Sequence, residues 1–143
     1  MSPIPSQTQE DRVGAALDRL EIRELVDRYS DAINRIDGPA WSNCWAEDAQ
    51  WTMREKSFSG REAIVAAWTR AMDGFESVFF SAFPGQITLK GDEADVLIHT
   101  LEYLKPKTAP AKLQSGLYRD KVRRIDGHWV FIEKNFTSKE LPL

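Results

Sequence analysis

Cysteine and histidine are nearly missing from this chain: Cys44 is its only thiol, and His99 and His128 are its only imidazoles. A single cysteine excludes an intramolecular disulfide and suits a reducing cytoplasm. Two distant histidines and one thiol cannot supply the ligands of a first-row metal site, so no metal is expected. Glycine-rich phosphate loops are absent too, and no nucleotide cofactor is indicated. No apolar run approaches the roughly 18 residues of a membrane helix. The opening MSPIPSQTQEDR has no apolar core, so it is not a signal peptide and reads as a polar arm over residues 1–12. Excess positive charge is lacking as well. The net charge is -3, which argues against nucleic acid as a partner. The basic run Arg119, Lys121, Arg123 and Arg124, with Asp120 inside it, fits a solvated sheet face.

What is present is an ordinary globular composition. With 143 residues, 42% hydrophobic and 29% charged, the chain suits one domain with its own core, expected over 13–137, and a tail at 138–143. Ile22, Leu25, Val26, Tyr29, Ala32, Ile33 and Ile36 recur at helical spacing and predict a long amphipathic helix. Asp37-Gly38-Pro39 stops it. Pro39 then opens a second helix carrying Trp41, Cys44 and Trp45 on one face. Ser59 with Glu62 three residues on predicts a capping box and a third helix with Ile64, Val65, Trp68 and Met72 inward.

From Ser77 the period falls to two. VFFSAF, QITLK, EADVLIHTLEYL, LQSGLYRDKVRRI and HWVFIEKNF read as strands, and AQWTMR as an earlier one. Asp126-Gly127 is a hairpin turn, Pro84-Gly85 a bulge, and residues 105–111 a Pro- and Lys-rich loop. Three helices followed by a strongly curved mixed or antiparallel sheet make an α+β cone with an apolar interior.

The segments RYSDAINRIDGPAW, WAEDAQW, FSGREAIVAAW, ITLKGDEA and GLYRDKVRRIDGHWVF, in this order, resemble the SnoaL-like branch of the nuclear transport factor two-like superfamily. The resemblance spans about Leu20 to Phe136. It implies the cone fold. It also implies dehydratase-, cyclase- or isomerase-type proton transfer without cofactor, or a non-catalytic role, since the family contains both. By resemblance to its scytalone dehydratases, the aspartate near the end of the first helix falls on Asn34. The histidine on the strand after the third helix falls on Phe80, the second histidine near Leu104, and the phenol of the first strand near Met53. The Asp-His dyad is missing, and a dehydration run by that dyad is not expected.

Strand parity supplies other candidates. Glu102 is in phase with Ala94, Val96, Ile98 and Thr100. It is either a carboxyl on an apolar face, fit for acid-base work, or a rim carboxylate in water. Tyr118 and Asp120 are in phase with Gly116, which leaves room for a ligand. Lys134 alternates with Ile132, and the resemblance turns it toward the pocket, where it would pair with Asp120 or stabilise an enolate; a solvated strand lysine is the other reading. Tyr29 sits at the centre of the helix stripe with a hydroxyl that needs a partner. Helical phase carries Asn34 off that stripe, while the resemblance sets it at the pocket as an orienting amide. The catalytic candidates are thus Tyr29, Asn34, Glu102, Tyr118, Asp120 and Lys134. Trp51, Met53, Phe80 and Phe83 are expected to wall a planar ligand. His99, Leu101 and Tyr103 face outward and predict a homodimer or homotrimer through the outer sheet face.

The favoured expectation is a cytoplasmic, cofactor-independent lyase or isomerase acting on a small aromatic or polycyclic carbonyl or phenolic compound. The alternative is a non-catalytic ligand-binding or assembly protein of the same fold.

Overall fold

A computed structural model describes residues 8–142. Its first element is helix α1, Gln9–Arg35. The Thr8 side chain accepts a hydrogen bond from the Asp11 N–H at 3.1 Å, and Glu10 and Asp11 place negative charge at the positive end of the helix. Residues 9–12 are therefore helical, not part of an arm; residues 1–7 lie outside the described residues. The helix ends one residue short of the predicted stripe. Ile36 adopts a left-handed conformation (φ 53°) and is exposed, while the other six stripe residues are buried.

Helix α2, Gly38–Ser42, is capped by Asp37, whose side chain accepts from the Ala40 N–H at 3.0 Å. It is only five residues long. Trp41 is its buried anchor, and Cys44 and Trp45 follow outside it, Trp45 opening strand β1, Trp45–Met53. Strand β2, Lys56–Ser59, returns against β1 through the two-residue turn Arg54-Glu55. The sequence carries no glycine or asparagine there to signal a hairpin. Helix α3, Arg61–Asp73, lacks the predicted capping box: Ser59 ends β2, and Gly60 (φ 90°) is the cap residue, with no side-chain hydrogen bond.

Four long strands complete the chain: β3 Phe75–Lys90, β4 Glu93–Pro106, β5 Lys112–Ile125 and β6 His128–Leu141. The two pieces predicted before Lys90 are one strand with a register shift between Pro84 and Ile87. The loop after β4 starts later than expected, because Lys105 and Pro106 still pair with β3. Strand β6 continues to Leu141, so most of the expected tail is sheet. Asp126 (φ 50°) and Gly127 (φ 80°) make the β5–β6 turn.

The order β2-β1-β6-β5-β4-β3 is antiparallel throughout except that β1 runs parallel to β6. The result is an open, curved α+β cone with the helices over its inner face. Helix α1 covers the edge strand β3 and binds its free backbone. Arg19 donates to the Ile87 carbonyl at 2.7 Å, and Arg23 to that of Pro84 at 3.4 Å. An edge strand with its backbone so occupied is closed to further pairing at those groups. The interior is aromatic. Tyr29 lies 5.4–6.2 Å, centroid to centroid, from Trp41, Trp45, Phe80 and Phe131, and Trp41 stacks on Trp68 at 4.6 Å. Cys44 is buried in this core, and burial pushes its thiol up to about 11, so it is a packed group and not a nucleophile.

Candidate functional site

Alternation along β4, β5 and β6 places a polar row on the inner face. Thr100 and Glu102 come from β4, Gln114, Tyr118 and Asp120 from β5, and Lys134 from β6; all are buried. The register then divides the row by depth.

Deep in the cone, Asp120 lies opposite Lys134. The two form an ion pair with 2% and 1% of their surface exposed. Lys134 Nζ also rests on three aromatic faces: Phe131 at 3.7 Å, Tyr118 at 4.1 Å and Tyr29 at 4.5 Å from the ring centroids. Burial raises Asp120 against the pull of Lys134 and lowers Lys134 against the pull of Asp120. Burial also holds the Tyr29 and Tyr118 phenols well above their ordinary value. The solvated-lysine alternative for Lys134 is excluded by its position. The aromatic rings around Lys134 Nζ are packed into the core.

Nearer the wide end lies Glu102, opposite Phe80 on one side and Gln114 on the other. It is 7% exposed, which excludes the solvated-rim reading. Thr100 donates its hydroxyl to Oε2 at 2.9 Å. Burial raises the Glu102 carboxyl; the Thr100 and Gln114 side chains and the charge of Lys112 work against that rise. Beyond Glu102 the cone opens into a pocket of about 510 Å³. Met53, Leu104 and Phe136 give it apolar walls, Gln114 and Ser138 polar ones, and Arg54, Glu55, Lys56 and Lys112 its rim. Leu104 and Gln114 are the neighbours of Glu102 along and across the strands, which sets the carboxyl immediately behind the lining.

Several predicted site residues land elsewhere. Asn34 is exposed on α1 and spends both amide atoms on the edge strand: Nδ2 donates to the Phe80 carbonyl and Oδ1 accepts from the Phe80 N–H, each at 2.7 Å. It acts as a piece of missing strand, not as a pocket residue. Phe83 is 62% exposed on the outer face, stacked on His99 at 5.4 Å, because the bulge at Pro84 follows it and strand parity turns it out. Phe80 and Trp51 are core, and of the four expected wall residues only Met53 lines the pocket. The space beside Gly116 holds protein, not ligand: a Cβ there would lie 2.3 Å from both Phe136 Cε2 and Thr100 Oγ1. Tyr29, Glu102, Tyr118, Asp120 and Lys134 do not line the mouth pocket. Tyr118 supports it indirectly by stacking on Phe136 at 4.4 Å.

Sequence reasoning missed Gln114, Phe136 and the rim. Parity would have found the first two, since Gln114 is in phase with Gly116 and Phe136 with Lys134. The rim depends on the unsignalled β1–β2 hairpin. Among the described residues no cluster of three or more His, Cys, Asp or Glu side chains could hold a metal, and no helix is long and apolar enough to cross a membrane.

Residues 14–135 match the family model described as the SnoaL-like domain. The chain belongs to the SnoaL-like family. Solved structures agree on its fold. A candidate scytalone dehydratase from Novosphingobium aromaticivorans superposes with a TM-score of 0.81 at 17% identity, covering 90% of this chain and 91% of that one. LinA gives 0.83 at 18% identity, covering 92% and 93%. A hexachlorocyclohexane dehydrochlorinase LinA-type3 from Novosphingobium barchaimii gives 0.78 at 17%, covering 95% and 94%. Comparison with curated proteins yields no match. At these identities the likeness concerns the SnoaL-like cone, not its chemistry.

Proposed function

We propose that this SnoaL-like chain is a cofactor-independent lyase or isomerase that moves a proton on a small aromatic or polycyclic carbonyl or phenolic compound, with Glu102 as its acid-base group. One observation carries the reading. A carboxyl held above its ordinary value, with Thr100 fixing one oxygen, stands directly behind an apolar pocket open to solvent. Such a carboxyl exchanges protons closer to neutrality than a solvated one. As base, the Glu102 carboxylate takes a proton from the carbon next to the carbonyl. The C–H electron pair forms an enolate. Return of the proton to another atom completes an isomerisation. Departure of a β-substituent with its bonding pair, leaving a C=C bond, completes an elimination. Asp120 and Lys134 take no part; they hold Tyr118, and through it Phe136, in place.

The dehydratase and dehydrochlorinase named among the structural neighbours make elimination a reasonable class to assay first. Glu102→Gln keeps the shape and the bond from Thr100 and removes the proton exchange. It should lower turnover about 100-fold or more. Unchanged turnover removes Glu102 from the reaction.

A second reading, a non-catalytic ligand-binding or assembly protein, draws on a different observation. Asn34 and Phe80 are both committed to structure, and aromatic rings fill the interior where the family's dyad would work. Saturable binding in the mouth pocket without turnover of any carbonyl compound tested would favour it. In either case we propose a cytoplasmic homodimer or homotrimer joined through the outer sheet face, where Phe79, Phe83, Leu101 and Tyr103 are exposed.

A further inference from the structure

Three cations frame the mouth pocket: Arg54 and Lys56 from the β1–β2 hairpin and Lys112 from the start of β5. Among the described residues none of them forms an ion pair. Glu55 is the one carboxylate on the lining, so the rim carries a surplus of positive charge on a chain whose net charge is -3. Below the rim the walls are apolar, formed by Met53, Leu104 and Phe136. A ring of unpaired cations above a greasy floor matches an amphipathic ligand of opposite polarity.

The backbone supplies an independent observation. Arg54 sits at φ 53°, the left-handed region that disfavours side chains with a Cβ. Glycine or asparagine would close the same two-residue turn with less strain. Instead the turn holds an arginine that lines the pocket. Strain of this kind gathers where a side chain has a task beyond closing a turn. Lys112 connects the rim to the chemistry, since its charge reaches the Glu102 carboxyl.

We propose that the mouth pocket takes a ring compound bearing an acidic group, a carboxylate or phenolate, which the Arg54, Lys56 and Lys112 rim receives while the ring lies on Met53, Leu104 and Phe136. The inference rests on the reading of this pocket as the ligand site and names the class of compound that enters it. Bound in this way, the ring is directed down toward Glu102 with its acidic group held away from the carboxyl.

The test uses two probes of similar size, 2-naphthoate and the neutral 2-naphthylmethanol, titrated into the full chain by calorimetry. Each is titrated against wild type, Arg54→Gly, Lys112→Gln and Phe136→Ala. The Arg54→Gly turn suits its backbone, so the variant should melt no lower than wild type. The acid should bind about tenfold tighter than the alcohol. Arg54→Gly and Lys112→Gln should each reduce that preference severalfold, leave the alcohol unchanged, and reproduce the effect of raised salt. Equal affinities for the two probes, both weakened by Phe136→Ala and indifferent to the rim variants, would overturn the acidic-ligand proposal and leave the pocket standing. Binding of neither probe, or binding unaffected by Phe136→Ala, would overturn the pocket reading and this proposal with it.

Discussion

Lys134→Met removes the cation bonded to Asp120 and leaves the carboxyl buried among rings. Asp120 Oδ1 already has no hydrogen-bond partner among the described residues, so little local compensation exists. In the native pair burial raises Asp120 to about 6 in spite of Lys134. A raised carboxyl contributes stability that is complete below its unfolded value of about 3.9 and is lost as pH climbs to the folded value. In the wild type that loss ends near pH 6. Without Lys134, desolvation acts unopposed and the folded value moves higher. The loss then continues at about 1.4 kcal/mol per pH unit. Variant and wild type should therefore diverge above pH 6, reaching about 3 kcal/mol at pH 8. That size agrees with the roughly 3–5 kcal/mol cost of breaking a buried pair from one side. The double variant Asp120→Asn with Lys134→Met has no titrating carboxyl, and its difference from wild type should stop growing with pH across the same interval. Urea unfolding at pH 6, 7 and 8, with slopes compared to check the extrapolation, measures all three proteins. A Lys134→Met penalty equal at pH 6 and pH 8, or a pH slope that survives in the double variant, would refute the reasoning.

Gly116→Ala forces Phe136 and Thr100 apart and should cost about 1–3 kcal/mol in chemical denaturation; a neutral result would mean that both side chains move aside freely. Asn34→Leu orphans the Phe80 N–H and carbonyl and should cost about 1–3 kcal/mol, and Asn34→Asp should also destabilise, because a carboxylate cannot donate to that carbonyl. Either variant melting with wild type removes the strand-cap role. For Glu102, burial sets the folded value above the unfolded one, so its contribution is complete at low pH and lost as pH rises through the folded value. Glu102→Gln should accordingly gain stability relative to wild type from pH 4 to pH 8 in thermal melts, and a drift the other way sinks the assignment. Light scattering should report two or three chains per particle and a single chain for Leu101→Glu; a monomeric wild type at micromolar concentration rejects the outer-face interface.

Period and parity carried most of the fold into view. The stripe from Ile22 to Ile33, the switch to alternation after α3, and Asp126-Gly127 all reflect local physics, and each stands where the sequence places it. The misreadings arise where a tertiary partner overrides a local signal. Ser59 has the chemistry of a cap, but pairing with Gln50 draws it into β2 and leaves Gly60 to turn the chain. Trp45 continues a helical face on paper, yet pairing with β6 makes it strand. Arg54-Glu55 closes a hairpin without a turn residue, so the hairpin and its rim were invisible. For the site, parity set Glu102, Tyr118 and Asp120 inward. It is silent on depth, and depth is a property of the curved sheet.

Depth is what separates structure from chemistry here. Glu102, Tyr118, Asp120 and Lys134 share one inner face and differ mainly in their distance from the mouth. At the bottom, low dielectric and close rings make a charge expensive, and the only stable arrangement is one in which Asp120 and Lys134 satisfy each other. Neither member of that pair lines the mouth pocket. Six residues nearer the opening along β4 and β5, the same desolvation is weaker and a hydroxyl replaces the cation as partner. The carboxyl there is perturbed but not consumed, and an apolar pocket adjoins it. The ion pair sits where the interior is filled with rings, and Glu102 is the member of the row that stands next to the lining residues Leu104 and Gln114 of the mouth pocket.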